Sequence, residues 1–282
     1  MKAMIFAAGL GTRLKPLTDT LPKALVPIAG KTLLQWQIER LKAVGITDIV
    51  VNVHHFPDMI INYLRENNNF GCRISVSDER DMLLETGGGL RKAQSLLSRV
   101  ATPESSNQDD PILICNVDIL SNIDLSALLN AYNPEEMGLV VVSPRDTQRY
   151  LLFDDTNRLC GWTNIATGEV RPASLASHLH NLQRSDLQPN GRSTGAADLP
   201  HSDLSPLAFS GMQLLNPRIF DHMDEFAQLK GDKFSLIDLY VYLAEKEILR
   251  AFIPENYRMM DVGKIAQLSE AESFAASLAF TR

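Results

Sequence analysis

Residues 6–32 read FAAGLGTRLKPLTDTLPKALVPIAGKT. An apolar run at residues 3–7 ends in a turn holding Gly9 and Gly11, and then come Arg13 and Lys23, the latter in a stretch stiffened by Pro22 and Pro27. Glycines let backbone amides approach a ligand with no Cβ in the way, and consecutive amides in such a turn form an anion-binding concavity. Arginine adds a fork that fits phosphate oxygens, and lysine adds a compact point charge. A strand feeding a glycine turn and then cations is therefore read as the opening of an α/β sheet with a phosphate-bearing ligand. Two familiar phosphate fingerprints fail by position. A dinucleotide fingerprint needs glycine where Leu14 stands, and a phosphate loop ending at Gly30-Lys31-Thr32 needs glycine where Leu25 stands.

Working outward, apolar runs at 3–7, 48–53, 73–77, 112–115 and 138–143 alternate with helical spacing, as in Leu34, Ile38, Leu41 and Val44, then Leu90, Ala93 and Leu97, then 125–132. This βαβα rhythm predicts an α/β fold with a mixed, mostly parallel sheet and helices on both faces. Ligands of such sheets sit beyond the carboxyl ends of the strands, which directs attention to residues 9–13, 54–57, 78–89 and 116–118. The sequence RYLLFDDTNRLCGW, 149–162, reads as two short strands around a turn. Residues 165–205 are polar and aperiodic and read as an insertion or mobile loop, after which order returns at LAFSGMQLL, a helix at 235–246, the strand ILRAFI and a last helix past Gly263.

The chain has 282 residues, 45% of them hydrophobic, enough for a single large domain spanning 1–282. A formal net charge of −7 excludes a global positive field for a nucleic acid polymer or an anionic membrane, so any anion must be held by a local cluster. Cys72, Cys115 and Cys160 have neither zinc-site spacing nor disulfide density and read as reduced structural thiols. The apolar start is too short for a secretory signal, and no stretch reaches the roughly 18 apolar residues of a membrane span. A cytoplasmic protein without a membrane partner is expected.

The ordered set Gly9, Gly11, Arg13, Pro16, Thr18, Pro22, Lys23 and Pro27 resembles the signature of the sugar-1-phosphate nucleotidyltransferases. The resemblance continues in LLETGGGLRKA (83–93), NVD (116–118), FSGMQLL (209–215) and MMDVGK (259–264). It implies the Rossmann-like nucleotide-diphospho-sugar transferase fold, a nucleoside triphosphate and a sugar 1-phosphate as partners, and Mg²⁺ as cofactor. Within the family, ETGGG and the compact C-terminus look most like the uridylyltransferases of N-acetylmuramate 1-phosphate in cell-wall recycling. Guanylyl or thymidylyl transfer to mannose or glucose 1-phosphate stays open, as does a non-catalytic sugar-nucleotide sensor, although such a sensor is expected to lose Arg13, Lys23 or a metal carboxylate.

The same resemblance gives Arg13 and Lys23 catalytic roles and assigns the nucleotide to Ala7, Ala8, Gly9, Gly11, Thr12, Arg13, Lys23 and Gly88. It assigns the sugar to Glu85, Gly87, Asn116, Gly211 and Lys233, with Lys230 an alternative to Lys233, and the metal to Asp118 and Asp261. Val117 stands where the family usually has glycine. Asp124 reads as a helix N-cap and Trp36 as packing. His54 and His55 could touch a ligand or merely close a strand, and His178 and His180 lack a third metal ligand at useful spacing.

Overall fold

The computed structural model describes residues 1–98, 110–176 and 204–278. The strands, in chain order, are β1 (Lys2–Phe6), β2 (Pro27–Ile28), β3 (Lys31–Thr32), β4 (Asp48–Val53), β5 (Arg73–Asp78), β6 (Ile112–Asn116), β7 (Ile119–Ser121), β8 (Gly138–Ser143), β9 (Arg149–Phe153), β10 (Leu159–Asn164), β11 (Glu169–Arg171), β12 (Ser205–Leu215), β13 (Leu249–Phe252) and β14 (Met259–Asp261). The helices are α1 (Leu33–Ala43), α2 (Pro57–Glu66), α3 (Glu85–Lys92), α4 (Gln94–Leu97), α5 (Leu125–Asn130), α6 (Ile219–Lys230), α7 (Leu236–Leu243) and α8 (Leu268–Ser277).

Ten strands form one mixed sheet. Its parallel part runs β5-β4-β1-β6, with Ile5 opposite Val51 on one side and Cys115 on the other. Beyond β6 the direction reverses. The long β12 pairs antiparallel with β6 through Met212 to Leu215, with β8 through Ala208, Phe209 and Gln213 to Leu215, and with β9 through Ser205, Pro206 and Leu207. From β9 the sheet continues to β10 and β11, while β8 carries β13 alongside in parallel.

Strand alternation supplies both faces of the core. Ala3 and Ile5 of β1 point into the cluster covered by α1, α2, α5 and α8, where Ile38, Leu64, Leu128 and Ala275 lie. Met4 and Phe6 point to the opposite layer, built on Leu90, Phe220, Phe226 and Leu239. Thr32 caps α1 by accepting from Gln35 N at 3.0 Å, and Asp124 caps α5 by accepting from Ser126 N and Ala127 N, as its position suggested. Trp36 is packed, with 7% exposure, and donates to Ile28 O at 2.9 Å. The three cysteines are free. Among the described residues no helix is long and apolar enough to cross a membrane.

The structure differs from the sequence reading at the start of the polar segment. Gly168, at φ +75°, turns the chain so that β11 pairs back onto β10 as an edge strand, and Arg171 lies over the Trp162 ring, 3.9 Å from its centroid. This part of the segment belongs to the sheet. Residues 177–203, including His178 and His180, lie outside the described residues.

Candidate active site

The carboxyl ends of β1 and β6 open into one cavity of about 550 Å³. The turn after β1 forms its rim. Gly11 adopts φ +63° and heads a short helical turn at Thr12–Leu14, closed by Leu14 N donating to Gly11 O at 2.8 Å. A Cβ there would stand 2.8 Å from Thr18 Cγ2, and Thr18 Oγ1 also donates to Gly11 O at 2.8 Å. Only glycine satisfies both the backbone angle and this approach. At Gly9, by contrast, an added Cβ would meet nothing within 4 Å.

Ala7, Ala8, Gly9, Gly11, Thr12, Arg13, Lys23, Glu85, Asn116 and Asp118 all line this cavity, together with Val117. Lys23, 8% exposed, pairs with Asp118 just past β6. Asp261 reaches the same region through a short antiparallel ladder, in which β14 sets Asp261 opposite Ile119 of β7 and Val262 N donates to Asp118 O at 2.9 Å. Arg13 Nη2 stands 3.7 Å from Asp261 Oδ2, both side chains being about half exposed. Asp261 Oδ1 is buried and accepts no hydrogen bond. A carboxylate oxygen left free on the strand that pairs with the segment after Asp118, at the edge of this cavity, fits a divalent cation that takes few protein ligands and completes its shell with phosphate oxygens and water. Among the described residues no cluster of three or more His, Cys, Asp or Glu side chains offers a fuller cage.

Four of the expected contacts lie elsewhere. Gly87 and Gly88 donate their N–H groups to Phe234 O at 2.9 and 3.2 Å, and Cβ atoms on them would meet the Phe234 ring at 2.3 Å and Asp232 O at 2.1 Å. These glycines let α3 pack on the chain at 232–234 and do not line the cavity. Gly211, at φ +71°, is buried in an irregular part of β12, where a Cβ would lie 2.7 Å from Ile119 Cγ1 and 3.2 Å from Asn116 Nδ2. It backs Asn116 from behind. Lys233 lines a neighbouring cavity. Of the histidines, His54 Nδ1 is 2.7 Å from Glu79 O and His55 Nε2 is 3.2 Å from Thr18 O, so each braces a loop.

The sequence reading missed Asn52, Leu83, Thr86, Ser235 and Gly263 on the wall. Asn52 carries the main loop contact. Its Oδ1 accepts from Ala7 N at 2.7 Å, which occupies that N–H, and its Nδ2 donates to Glu79 Oε1 at 2.7 Å. Glu79 Oε2 accepts from Leu84 N at 3.3 Å, and burial pushes the Glu79 carboxyl above its ordinary range. A polar residue inside the apolar run DIVVNV was the available signal for Asn52. At Gly263, a Cβ would crowd Arg13 Nη2 at 2.8 Å and Asp261 Oδ1 at 2.9 Å.

Residues 2–150 match the family described as nucleotidyl transferase. The chain belongs to that family. This nucleotidyl transferase is 39% identical over 160 residues to N-acetylmuramate alpha-1-phosphate uridylyltransferase of Caulobacter vibrioides, a match covering 55% of this chain and 62% of that protein. Against the protein of the same name from Neisseria meningitidis it is 28% identical over 98% of this chain and 99% of the other. A Bacillus anthracis structure solved with sucrose superposes with a TM-score of 0.74 at 16% identity, covering 100% of this chain and 98% of that one. The fold is that of the nucleotide-diphospho-sugar transferases, and the reaction class of this nucleotidyl transferase, transfer of a nucleotidyl group, follows with the family.

Proposed function

We propose that the chain transfers the uridylyl group of UTP to N-acetylmuramate 1-phosphate, giving the UDP-sugar and pyrophosphate. The observation that carries the reading is the convergence of the Gly9–Gly11 turn, Arg13, Lys23, Asn116 and Asp118 on one cavity. The two uridylyltransferase relatives, one matched over nearly its full length, support the choice of base and sugar.

An oxygen of the sugar phosphate attacks the α-phosphorus in line, a P–O bond forms to it, and the bond to pyrophosphate breaks. The nucleophile is already ionised, so no general base is needed, and catalysis rests on positioning and on neutralising charge. Backbone groups of Ala8, Gly9, Gly11 and Thr12 approach the nucleotide, Arg13 and Lys23 hold its phosphates, and Glu85 and Asn116 accept and donate hydrogen bonds to sugar hydroxyls. Asp118 and Asp261 would hold Mg²⁺, which supplies charge stabilisation at the α-phosphate.

Four nucleoside triphosphates set against a panel of sugar 1-phosphates, with pyrophosphate release read in Mg²⁺, test the proposal. The UTP and N-acetylmuramate 1-phosphate pair should give the highest kcat/KM. A preference for GTP or dTTP with mannose or glucose 1-phosphate would replace the substrates, and silence across the whole matrix would favour a non-catalytic sensor.

A further inference from the structure

Glu85 stands between two cavities. On its far side from Arg13 and Asp118 lies a second space of about 480 Å³, walled by Phe226, Phe234, Val241 and Tyr242. Its rim carries Lys230 and Lys233. Lys230 ends α6, and Lys233 precedes Phe234, whose carbonyl is fixed by the amides of Gly87 and Gly88. The backbone that presents Lys233 is thus tied to the helix that Glu85 begins.

The third cation on this cavity, Arg171, is already neutralised. It pairs with Asp238, its Nε lies 3.3 Å from Glu169 Oε1, and it stacks on Trp162. Among the described residues, Lys230 and Lys233 have no hydrogen bond and no ion pair. In a chain of net charge −7, two unpaired lysines above an apolar and aromatic wall form a local positive surplus beside a space large enough for part of a ligand. The nucleotide's phosphates have Arg13 and Lys23 on the other side of Glu85, and the sugar phosphate, which attacks the α-phosphorus held there, must lie on that side too. What remains for this pair is an anion carried by the sugar at a distance from its phosphate.

We infer that the second cavity receives an acidic substituent of the sugar 1-phosphate, with Lys230 and Lys233 pairing its carboxylate while the aromatic wall covers its apolar part. The inference rests on the uridylyl transfer proposed above, since the lactyl ether of N-acetylmuramate is such a substituent: one carboxylate, one methyl and an ether link. Glu85, on the border, is left to accept from ring hydroxyls, and its own charge keeps the carboxylate on the lysine side.

The test compares N-acetylmuramate 1-phosphate with N-acetylglucosamine 1-phosphate, which has the same ring without the lactyl acid, using UTP and Mg²⁺. In the wild-type chain kcat/KM should favour the acidic sugar. In the double variant Lys230→Ala with Lys233→Ala that preference should fall about tenfold, the size expected for two exposed charge pairs, and should fall chiefly through KM. Lys233→Glu should lower it further, and Lys233→Arg should restore most of it. Both positions are exposed, so circular dichroism should match the wild type. A preference that stays unchanged in the double variant and in Lys233→Glu, or that is missing in an active wild-type chain, overturns the inference and leaves uridylyl transfer standing. A wild-type chain inactive with every nucleotide and sugar overturns the proposed function and this inference with it.

Discussion

Asn52 is 2% exposed in the middle of a valine and isoleucine strand, and both ends of its amide are occupied. Glu79 holds it in that orientation and at the same time anchors Leu84 N. Glu79→Ala removes the acceptor from two buried donors, each costing about 1–3 kcal/mol when left unmade. Unfolding free energy in urea should drop by about 3 kcal/mol, and the KM for the nucleotide should rise because the rim at Ala7 loses its support. The buried carboxyl titrates above its ordinary value, so the stability linked to it is fully present below the unfolded-state value and is lost as pH rises through the raised one. The stability of the wild type relative to Glu79→Gln should accordingly decline as pH climbs from about 4.5, which urea titrations at several pH values would show. Arg13→Ala should instead leave stability intact and cut kcat by about 10²-fold, the usual loss when one donor to developing charge is removed. Steady-state kinetics in both substrates check this, and a rise confined to the KM of the sugar phosphate would move Arg13 to the other anion. That Gly9, Gly11, Arg13, Asn116 and Asp118 line one cavity could be anticipated because all lie at or within a few residues of the carboxyl ends of β1 and β6. Asn52 and Glu79 were not, because their partners lie 45 and 27 residues away and no local pattern encodes a pairing at that distance.

At the scale of elements, α3 shows how a glycine run can be read as necessary while its neighbours stay hidden. Three glycines in a row signal that something comes close to the backbone, and here it is Phe234, Asp232 and Glu79. Sequence cannot tell a ligand from a neighbouring loop, because either removes the room for a Cβ. Gly88→Ala should therefore lower thermal stability, by about 1–3 kcal/mol for overpacking, because the obstacle is a carbonyl oxygen of backbone and cannot swing aside. The folded fraction should keep its nucleotide affinity, measured by calorimetry. The pairing of β7 with β14 is a second such case. MMDVGK and NVD were both noticed, yet nothing in either segment announced that the strands beside them form one ladder across some 140 residues of chain and so join the backbones that carry Asp118 and Asp261.

For the whole molecule, the repeating strand and helix pattern made the parallel half of the sheet readable, since its central strands β1, β4 and β6 are largely apolar runs. The antiparallel half was harder, because β11 is too polar to read as a strand without its partner β10. Replacing residues 177–203 with a short Gly/Ser linker keeps β11 and the stacking of Arg171 on Trp162. The shortened chain should unfold within a few degrees of the full one and still bind UTP, and loss of UTP binding would assign the removed segment to the nucleotide site. The sheet also has an order of completion set by chain direction. β6 has β1 on one side from early in synthesis, but its other edge waits for β12, almost 100 residues later. At ribosomal speeds of about 5–20 residues per second, the edge stays uncovered for on the order of 5–20 s. During that interval the nascent chain displays unpaired strand amides to any other growing copy nearby, and the exposure ends only once Leu215 has left the ribosome tunnel.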